Sequence, residues 1–287
     1  MGQRLLKKAV VASMIIRVLL IGQATAAAST LKPNYSIFFY KPGTAVTGTL
    51  KDGVFTQKQT PILLGKWTYA AVSGDSLLLY NARKARLKTG TFVKGIFTPV
   101  RTKRFSAGWT HVAASCDTVL FYDRATGDAF AAPFTHGVLG THTAYQLSPG
   151  WDFIDASCDT ITFLANNGTS NASGVNGTLK GGKFTESGGS FVVAPYTHLT
   201  HTSDSYLLYS KDRGAGIWGP SSGGTEGLSG SATDFSAWDL VVGTADSILF
   251  YRSDGLEARA TLRDGAYGSV GSGDDFSAGW KIIAGGR

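Results

Sequence analysis

The chain has little of what usually declares a function. Two cysteines in 287 residues exclude a disulfide-dense scaffold. The sequence contains no His-Glu-x-x-His, no paired-cysteine metal spacing and no Gly-x-Ser-x-Gly, so the common zinc-hydrolase and serine-hydrolase signatures are absent. Charged residues make up only 16% of the chain, too few for a coiled coil or a disordered acidic or basic tail. Only 8 prolines stand beside 37 glycines, a balance that suits many short strands joined by tight turns.

The N-terminus reads separately. Arg4, Lys7 and Lys8 precede an apolar stretch from Ala9 to Gly22, and Ala24-Thr25-Ala26 offers small residues for cleavage. Residues 1–28 therefore read as a secretory signal peptide, and the mature chain as secreted and extracellular. The alternative is an uncleaved anchor helix, against which Arg17 interrupts the apolar run. No later segment has 18 uninterrupted apolar residues, which argues against a stable span after cleavage. The whole chain carries 27 Lys+Arg and 20 Asp+Glu; without Arg4, Lys7, Lys8 and Arg17 the balance is 23 − 20 = +3. That is too mild to argue for nucleic acid. The charge is unevenly spread, however. Arg83, Lys84, Arg86, Lys88, Lys94, Arg101, Lys103 and Arg104 fall within residues 81–110, which contain no acid. Lys84, Arg86, Lys88, Arg101, Lys103 and Arg104 form a candidate anion-binding patch, either a solvated face or a contact for anionic polysaccharide or a membrane surface.

What dominates the remaining residues is a repeat. Aromatic anchors Trp67, Trp109, Trp151, Tyr196, Trp238 and Trp280 recur at spacings of 42, 42, 45, 42 and 42. Each precedes a short small-residue strand, an Asp-Ser/Thr step and a second strand ending at Tyr40, Tyr80, Tyr122, Leu164, Tyr209 or Tyr251. A hairpin with a central Gly follows, as in Phe92…Gly95…Phe97 and Phe134…Gly137…Leu139; the fifth copy, around Gly224, is degenerate. Four short strands per unit make one propeller blade. The chain starts mid-unit at Ser36–Tyr40 and ends with Trp280–Ala284, so the two ends together complete a sixth unit and remove the free sheet edges. The expectation is all-β: residues 29–287 as one six-bladed propeller, with the small-residue strand innermost. The alternative is two β-trefoils, whose boundary near Cys158-Asp159 would fall inside a turn shared by the repeats.

Two rows could carry binding. Asp75, Asp117, Asp159, Asp204 and Asp246 either make local turns or present carboxylates to sugar hydroxyls. The Trp/Tyr anchors either wedge between blades or offer flat faces to sugar C–H surfaces. One carboxylate per blade suits hydrolysis of a glycosidic bond poorly, because that needs two facing the bond. His198 and His201 lie on one strand and point to opposite faces, so no metal site is expected there, nor any cofactor. Cys116 and Cys158 occupy the same repeat position 42 residues apart. They can bridge only if their Cα atoms lie within about 7 Å. Sequons begin at Asn34, Asn167, Asn171 and Asn176, and the last three suggest an exposed loop tip at 166–178.

The pattern Gly-Trp…Asp-[Ser/Thr]-x-Leu-x-Tyr followed by a Gly hairpin, over about residues 34–287, resembles that of secreted β-propeller lectins of the tachylectin/tectonin type. The resemblance implies shallow sugar sites between blades, cell-surface or extracellular glycans as partners, and no catalysis. Blade four departs from it at Leu164 and Tyr196, and blade five at Trp218-Gly219-Pro220. The leading expectation is a multivalent, non-catalytic carbohydrate-binding propeller. The alternatives are a protein-interaction scaffold or a propeller glycosidase or lactonase.

Overall fold

The computed structural model describes residues 33–168, 171–273 and 276–287. The expected signal segment, 1–28, lies outside them. Among the described residues there are strands and turns and no helix. The strands form six radial antiparallel sheets, so the chain is a six-bladed β-propeller.

Blade 1 joins the two ends of the chain, in the order β26 (Ile282–Gly285), β1 (Ser36–Lys41), β2 (Thr44–Lys51) and β3 (Val54–Leu63). Blade 2 follows as β4 (Tyr69–Val72), β5 (Ser76–Asn81), β6 (Arg86–Val93) and β7 (Ile96–Arg104). Blade 3 has β8 (His111–Ala114), β9 (Thr118–Tyr122), β10 (Asp128–Thr135) and an outer strand split into β11 (Val138–Leu139) and β12 (Thr143–Gln146). Blade 4 has β13 (Phe153–Ala156), β14 (Thr160–Asn166), β15 (Ala172–Lys180) and β16 (Lys183–Val193). Blade 5 has β17 (His198–His201), β18 (Ser205–Ser210), β19 (Ala215–Ser222) and a second split strand, β20 (Thr225–Glu226) with β21 (Gly230–Ala232). Blade 6 has β22 (Leu240–Gly243), β23 (Ser247–Tyr251), β24 (Glu257–Arg263) and β25 (Ala266–Gly273).

The strand after each aromatic anchor is innermost, and each inner strand neighbours the next around one axis, β22 meeting β26 and β26 meeting β4. A single closed ring of this kind leaves no place for two trefoils. Small side chains are required there because the backbones nearly touch: a Cβ on Gly243 would stand 1.8 Å from the carbonyl oxygen of His201.

The two split outer strands share a cause. Pro133 in β10 and Pro220 in β19 each sit four residues before the hairpin glycine. Their carbonyls still accept from Gly140 N and Gly227 N, but proline has no N–H to return the bond, and the partner strand breaks. The fifth hairpin, which reads as degenerate in sequence, keeps its tip: Gly223 and Gly224 have φ of 59° and 82°.

Neighbouring blades are tied by the repeat tyrosines. Tyr122 is fully buried; its hydroxyl donates to Ser148 O at 2.9 Å and accepts from Trp151 N at 3.3 Å, in the segment that enters blade 4. Tyr40, Tyr209 and Tyr251 repeat both bonds at their own interfaces. Blade 4 has Leu164 instead, and the neighbouring Asn166 side chain donates to Tyr196 O at 2.9 Å. Tyr122→Phe leaves the Ser148 carbonyl and the Trp151 amide without this partner, so a loss of about 1–3 kcal/mol is expected in urea denaturation, with an unchanged m-value.

Candidate functional site

The Asp row holds the ring together. The hairpin tips at 52–53, 94–95, 136–137, 181–182, 223–224 and 264–265 all have two consecutive residues with φ between 50° and 82°. This is the two-residue hairpin turn that favours Gly at its second position. Such a turn points two adjacent N–H groups outward, and the preceding blade catches both. Asp117 accepts from Gly181 N at 3.0 Å, and the Thr118 hydroxyl accepts from Gly182 N at 2.7 Å while donating to Asp117 at 2.6 Å. Asp75–Ser76 grips His136–Gly137, Asp159–Thr160 grips Gly223–Gly224, Asp204–Ser205 grips Asp264–Gly265, and Asp246–Ser247 grips Asp52–Gly53. At the sixth interface Ser36 accepts from Gly95 N, and the Asn34 side chain donates to Ser73 O and Phe92 O. The row therefore makes cross-blade latches, beyond the local turns that sequence suggests.

The aromatic row packs between blades. Tyr196, Trp238 and Trp280 are at most 6% exposed. Lys41 Nζ lies over the Trp280 ring at 4.8 Å and the Arg213 guanidinium over Tyr196 at 5.1 Å, so those faces are already covered. Trp109 packs on Phe121 and Phe130, and Trp151 on Phe163. Trp67, Trp109 and Trp151 are only partly buried, but the indole nitrogens of Trp67, Trp109 and Trp280 are buried with no partner among the described residues. The two rows also stand at opposite ends of a four-residue inner strand, as Trp67 and Asp75 flank β4. That strand alone separates them by roughly 13 Å. Shallow sites built from one aromatic and one Asp of the same repeat are thus not what the structure assembles.

Cys116 and Cys158 form a disulfide with Cα atoms 4.4 Å apart. It lies within a run of backbone bonds around the axis, from Gly74 N through Cys116, Cys158 and Ser203 to Ala245 O. Asn167 and Asn171 are exposed, whereas Asn34 and Asn176 are 4% and 8% exposed and unsuited to carry a glycan on the folded chain. Asn176 belongs to the middle of β15 and not to a loop tip, a correction to the sequence reading.

One arrangement is not repeated. The Arg287 guanidinium sits in the axial cavity of about 170 Å³, which Ala71, Ala114, Thr200 and Gly285 help to line. It donates to Ala156 O, Gly243 O and Gly285 O, and pairs with both oxygens of Asp155 at 2.7 and 2.6 Å. Asp155 also accepts from His201 N at 2.8 Å and faces His201 Nδ1 at 3.4 Å. The other ring nitrogen of His201 meets Glu226 Oε1 at 2.9 Å, and the Thr162 hydroxyl donates to that same oxygen. A chain of charges thus runs from the axis, through a fully buried histidine, to the interface of blades 4 and 5.

Glu226 opens onto a cleft of about 380 Å³ between those blades, walled by Phe191, Tyr206, Ile217 and Leu228. Two backbone irregularities make room for it. The outer strand of blade 5 is broken at Pro220, and β15–β16 shifts register between Val175 and Gly177, leaving Asn176 opposite a bulge. Asn176 Oδ1 is buried in the lining with no hydrogen-bond partner among the described residues. Burial raises the pKa of Tyr206, reinforced by the Glu226 charge, so its hydroxyl remains a donor. Among the described residues no group of three or more His, Cys, Asp or Glu side chains is arranged to hold a metal ion. Sequence reasoning found none of Asp155, Glu226 or Arg287. Their only trace is that they break the repeat: Asp155 stands where the other inner strands carry the uncharged Ala71, Ala113, Thr200, Val242 and Ala284.

The cations of blade 2 lie on its outer strands. Arg86 faces Arg104 across the β6–β7 ladder, and Lys84, Arg86, Arg101, Lys103 and Arg104 are exposed.

No family model matches the chain, and no curated protein matches it. Solved structures do, at low identity. A protein of unknown function from Desulfotomaculum acetoxidans DSM 771 superposes with a TM-score of 0.54 at 9% identity, covering 83% of this chain and 79% of its own. Prp20p from Saccharomyces cerevisiae, whose structure was described with its binding to Gsp1p and histones, gives 0.52 at 9% identity over 86% and 74%. A candidate 6-phosphogluconolactonase from Bacteroides uniformis ATCC 8492 gives 0.51 at 15% identity over 84% and 83%. At such identities the likeness concerns the fold alone.

Two outcomes are expected. Asp117→Ala removes charge-assisted bonds to a backbone tip and should lower stability by about 1.5–3 kcal/mol in chemical denaturation while leaving ligand binding intact; a variant with unchanged stability and lost glycan binding would return the row to a ligand role. The second concerns pH. Burial alone would raise the Asp155 pKa, but Arg287 and His201 outweigh it and hold it below the ordinary 3.8. Burial would lower the His201 pKa, but Asp155 and Glu226 outweigh that and raise it above 6.5. The Asp155 contribution is present above the ordinary carboxylate pKa and is lost as pH falls through its depressed value. That of His201 is full below pH 6.5 and is lost as pH rises through its raised value. A melting-temperature profile of the wild type should fall on the alkaline side of this window, and His201→Gln should be less stable throughout and lack that alkaline slope.

Proposed function

We propose that the chain is a secreted carbohydrate-binding propeller that holds its ligand in the cleft between blades 4 and 5 without turning it over. The observation that carries this reading is the pairing, in one concave site, of aromatic walls with unpaired acceptors. Phe191 and Tyr206 supply apolar surface, Asn176 Oδ1 is buried in the lining without a partner among the described residues, and no hydrogen bond among the described residues occupies Glu226 Oε2. A sugar presents the complement, a patch of C–H bonds ringed by hydroxyl donors. Mostly apolar clefts with a few fixed polar groups are the usual form of a small-ligand site. Because Glu226 is already held by Thr162 and His201, its position does not have to be ordered on binding.

The same geometry argues against hydrolysis. Cleavage of a glycosidic bond uses two carboxyl groups flanking that bond. Glu226 is the one carboxylate in the cleft lining, and Asp155 lies beyond His201, paired to Arg287. The resemblance to propeller lectins agrees with binding without turnover, although the ligand surface it suggested, repeated in each blade, is here given over to latches and wedges. A protein-interaction scaffold is the second reading, favoured by Val192 and Leu228 beside the cleft, 70% and 71% exposed.

A broad glycan array followed by calorimetry tests the proposal. Saccharide binding should appear with a Kd on the order of mM or tighter, and Phe191→Ala and Glu226→Gln should each weaken it about tenfold or more. No signal on the array, together with capture of an apolar peptide that Leu228→Ser abolishes, would establish the scaffold reading instead. Steady release of reducing sugar by the purified protein would show an enzyme.

A further inference from the structure

We propose that the outer edge of blade 2 is a second, separate binding surface, for a sulfated or phosphorylated polysaccharide. β7 is the outermost strand of its sheet, and Arg101, Thr102, Lys103 and Arg104 are four consecutive exposed residues on it. Across the ladder Arg86 stands opposite Arg104, Leu87 opposite Lys103 and Lys88 opposite Thr102. Lys84, from the turn before β6, joins Arg86, Thr102, Lys103 and Arg104 around an open concavity of about 560 Å³.

Three features distinguish this surface from an ordinary solvated face. Opposed like charges destabilise a ladder, and residues 81–110, which include the Arg86–Arg104 pair, contain no acid to offset it from within the blade. The ion pairs among the described residues all lie elsewhere. The charge is also not a property of the repeat. The corresponding end of the outer ladder holds Thr44 and Leu63 in blade 1, Ala172 and Val193 in blade 4, and Glu257 and Gly273 in blade 6. Finally, two of the cations are positioned by rings beneath them: Lys88 Nζ lies 5.9 Å from the Phe97 centroid and Lys103 Nζ 5.5 Å from that of Phe105.

The shape selects the partner. Arg101 and Lys103 share one face of the sheet with Leu87, and Arg86, Lys88 and Arg104 share the other. The cations thus flank both sides of an edge that Arg101 to Arg104 extend by about 10 Å; none is buried, and the rim follows a line of anions and does not cage one ion. Single-stranded nucleic acid binds where bases can stack on exposed aromatic faces. Here Phe97 is 4% exposed and Phe105 lies under Lys103, so the surface supplies charge without a stacking platform. A lipid surface would call for apolar side chains among the cations to insert. The exposed Val93 and Ile96 stand at the far, hairpin end of the ladder, and at the cationic end only Val100, next to Arg101, is a large exposed apolar side chain among the described residues. A polyanionic glycan needs only the spaced cations.

The test is retention of the full protein on immobilised dextran sulfate, with uncharged dextran as the blank, across a salt gradient. The wild type should be retained at physiological ionic strength and released by added salt. Lys84→Gln/Arg86→Gln/Arg101→Gln/Arg104→Gln should bind about tenfold or more weakly, while Lys66→Gln/Lys180→Gln/Lys183→Gln/Lys281→Gln, with the same change in net charge, should bind as the wild type does. Saccharide binding at the cleft between blades 4 and 5 should be unaltered in the first variant, so the two sites can fail independently. Equal loss in both variants would reduce the effect to net charge and overturn the proposal, as would no retention at all. Tighter binding to phosphatidylserine vesicles or to single-stranded DNA than to dextran sulfate would overturn the choice of partner.

Discussion

The ring depends on one short contact, made six times. A serine or threonine hydroxyl at the start of each second strand accepts the N–H of the glycine at the next blade's hairpin tip, at 2.7 to 2.9 Å. In five of the six an aspartate beside it takes the preceding N–H. The tip can be gripped this way only because its two residues both adopt left-handed backbone, and the second must be glycine because it lies against the neighbouring blade. A Cβ on Gly137 would stand 2.6 Å from the backbone of Gly90. All six contacts run in the same direction around the ring. Tyrosine bonds near the opposite ends of the inner strands add a second set. Each interface is therefore fixed at both faces by buried polar groups, with apolar packing between.

Much of the fold was legible in the chain. Period, strand order, the composite first blade and the innermost strand all follow from the 42-residue spacing and the small residues after each Trp. The reason is physical: a repeat that cannot bury its own faces must stack, and the stacking demands the same residue at the same place each time. The candidate site was not legible by that route. The conserved-looking Asp and Trp positions repeat because every interface needs them, so repetition marks structure here. Glu226, His201, Asp155 and Arg287 come together from a hairpin, two inner strands and residue 287, separated by as much as 132 residues. No local spacing announces such a set. Asn176 was visible as a sequon, but a sequon says nothing of burial, and the side chain lines a cleft with its Oδ1 buried and unpartnered among the described residues.

The cleft and the network behind it show how a symmetric ring gains a single distinct place. Blade 5 has a proline that removes a ladder donor, as blade 3 does, but beside it blade 4 has a bulge of two extra residues where the register shifts of blades 1, 2 and 6 insert one at a time, and the interval Trp151–Tyr196 is three residues longer than the others. Together they part the outer halves of two blades while the inner halves remain latched. The polar chain runs from Arg287 at the axis to Glu226 at that interface, and Asp155 and His201 hold polar groups where the inner strands of blades 1, 2, 3 and 6 carry alanine, valine or glycine. A strongly paired buried network is costly to break and fixes its members closely, which suits the role proposed for Glu226.

The prolines that split two outer strands bear on how copies of the protein meet. A propeller closes its ring but leaves the rim of each blade with unpaired backbone groups, and a long flat rim strand invites another chain to extend the sheet. β11 and β20 are two residues long, too short to act as such a template. Blade 2 keeps a long rim strand, yet its last four residues carry three positive charges, so two such rims would repel on approach. Blade 6 keeps one made largely of glycine and serine, which offers an incoming strand little side-chain surface. Blade 1 has Pro61 within its rim strand, and blade 4 has Ser-Gly-Gly-Ser at 187–190 in the middle of its own, so each long rim carries a feature that blunts it as a template for a second chain.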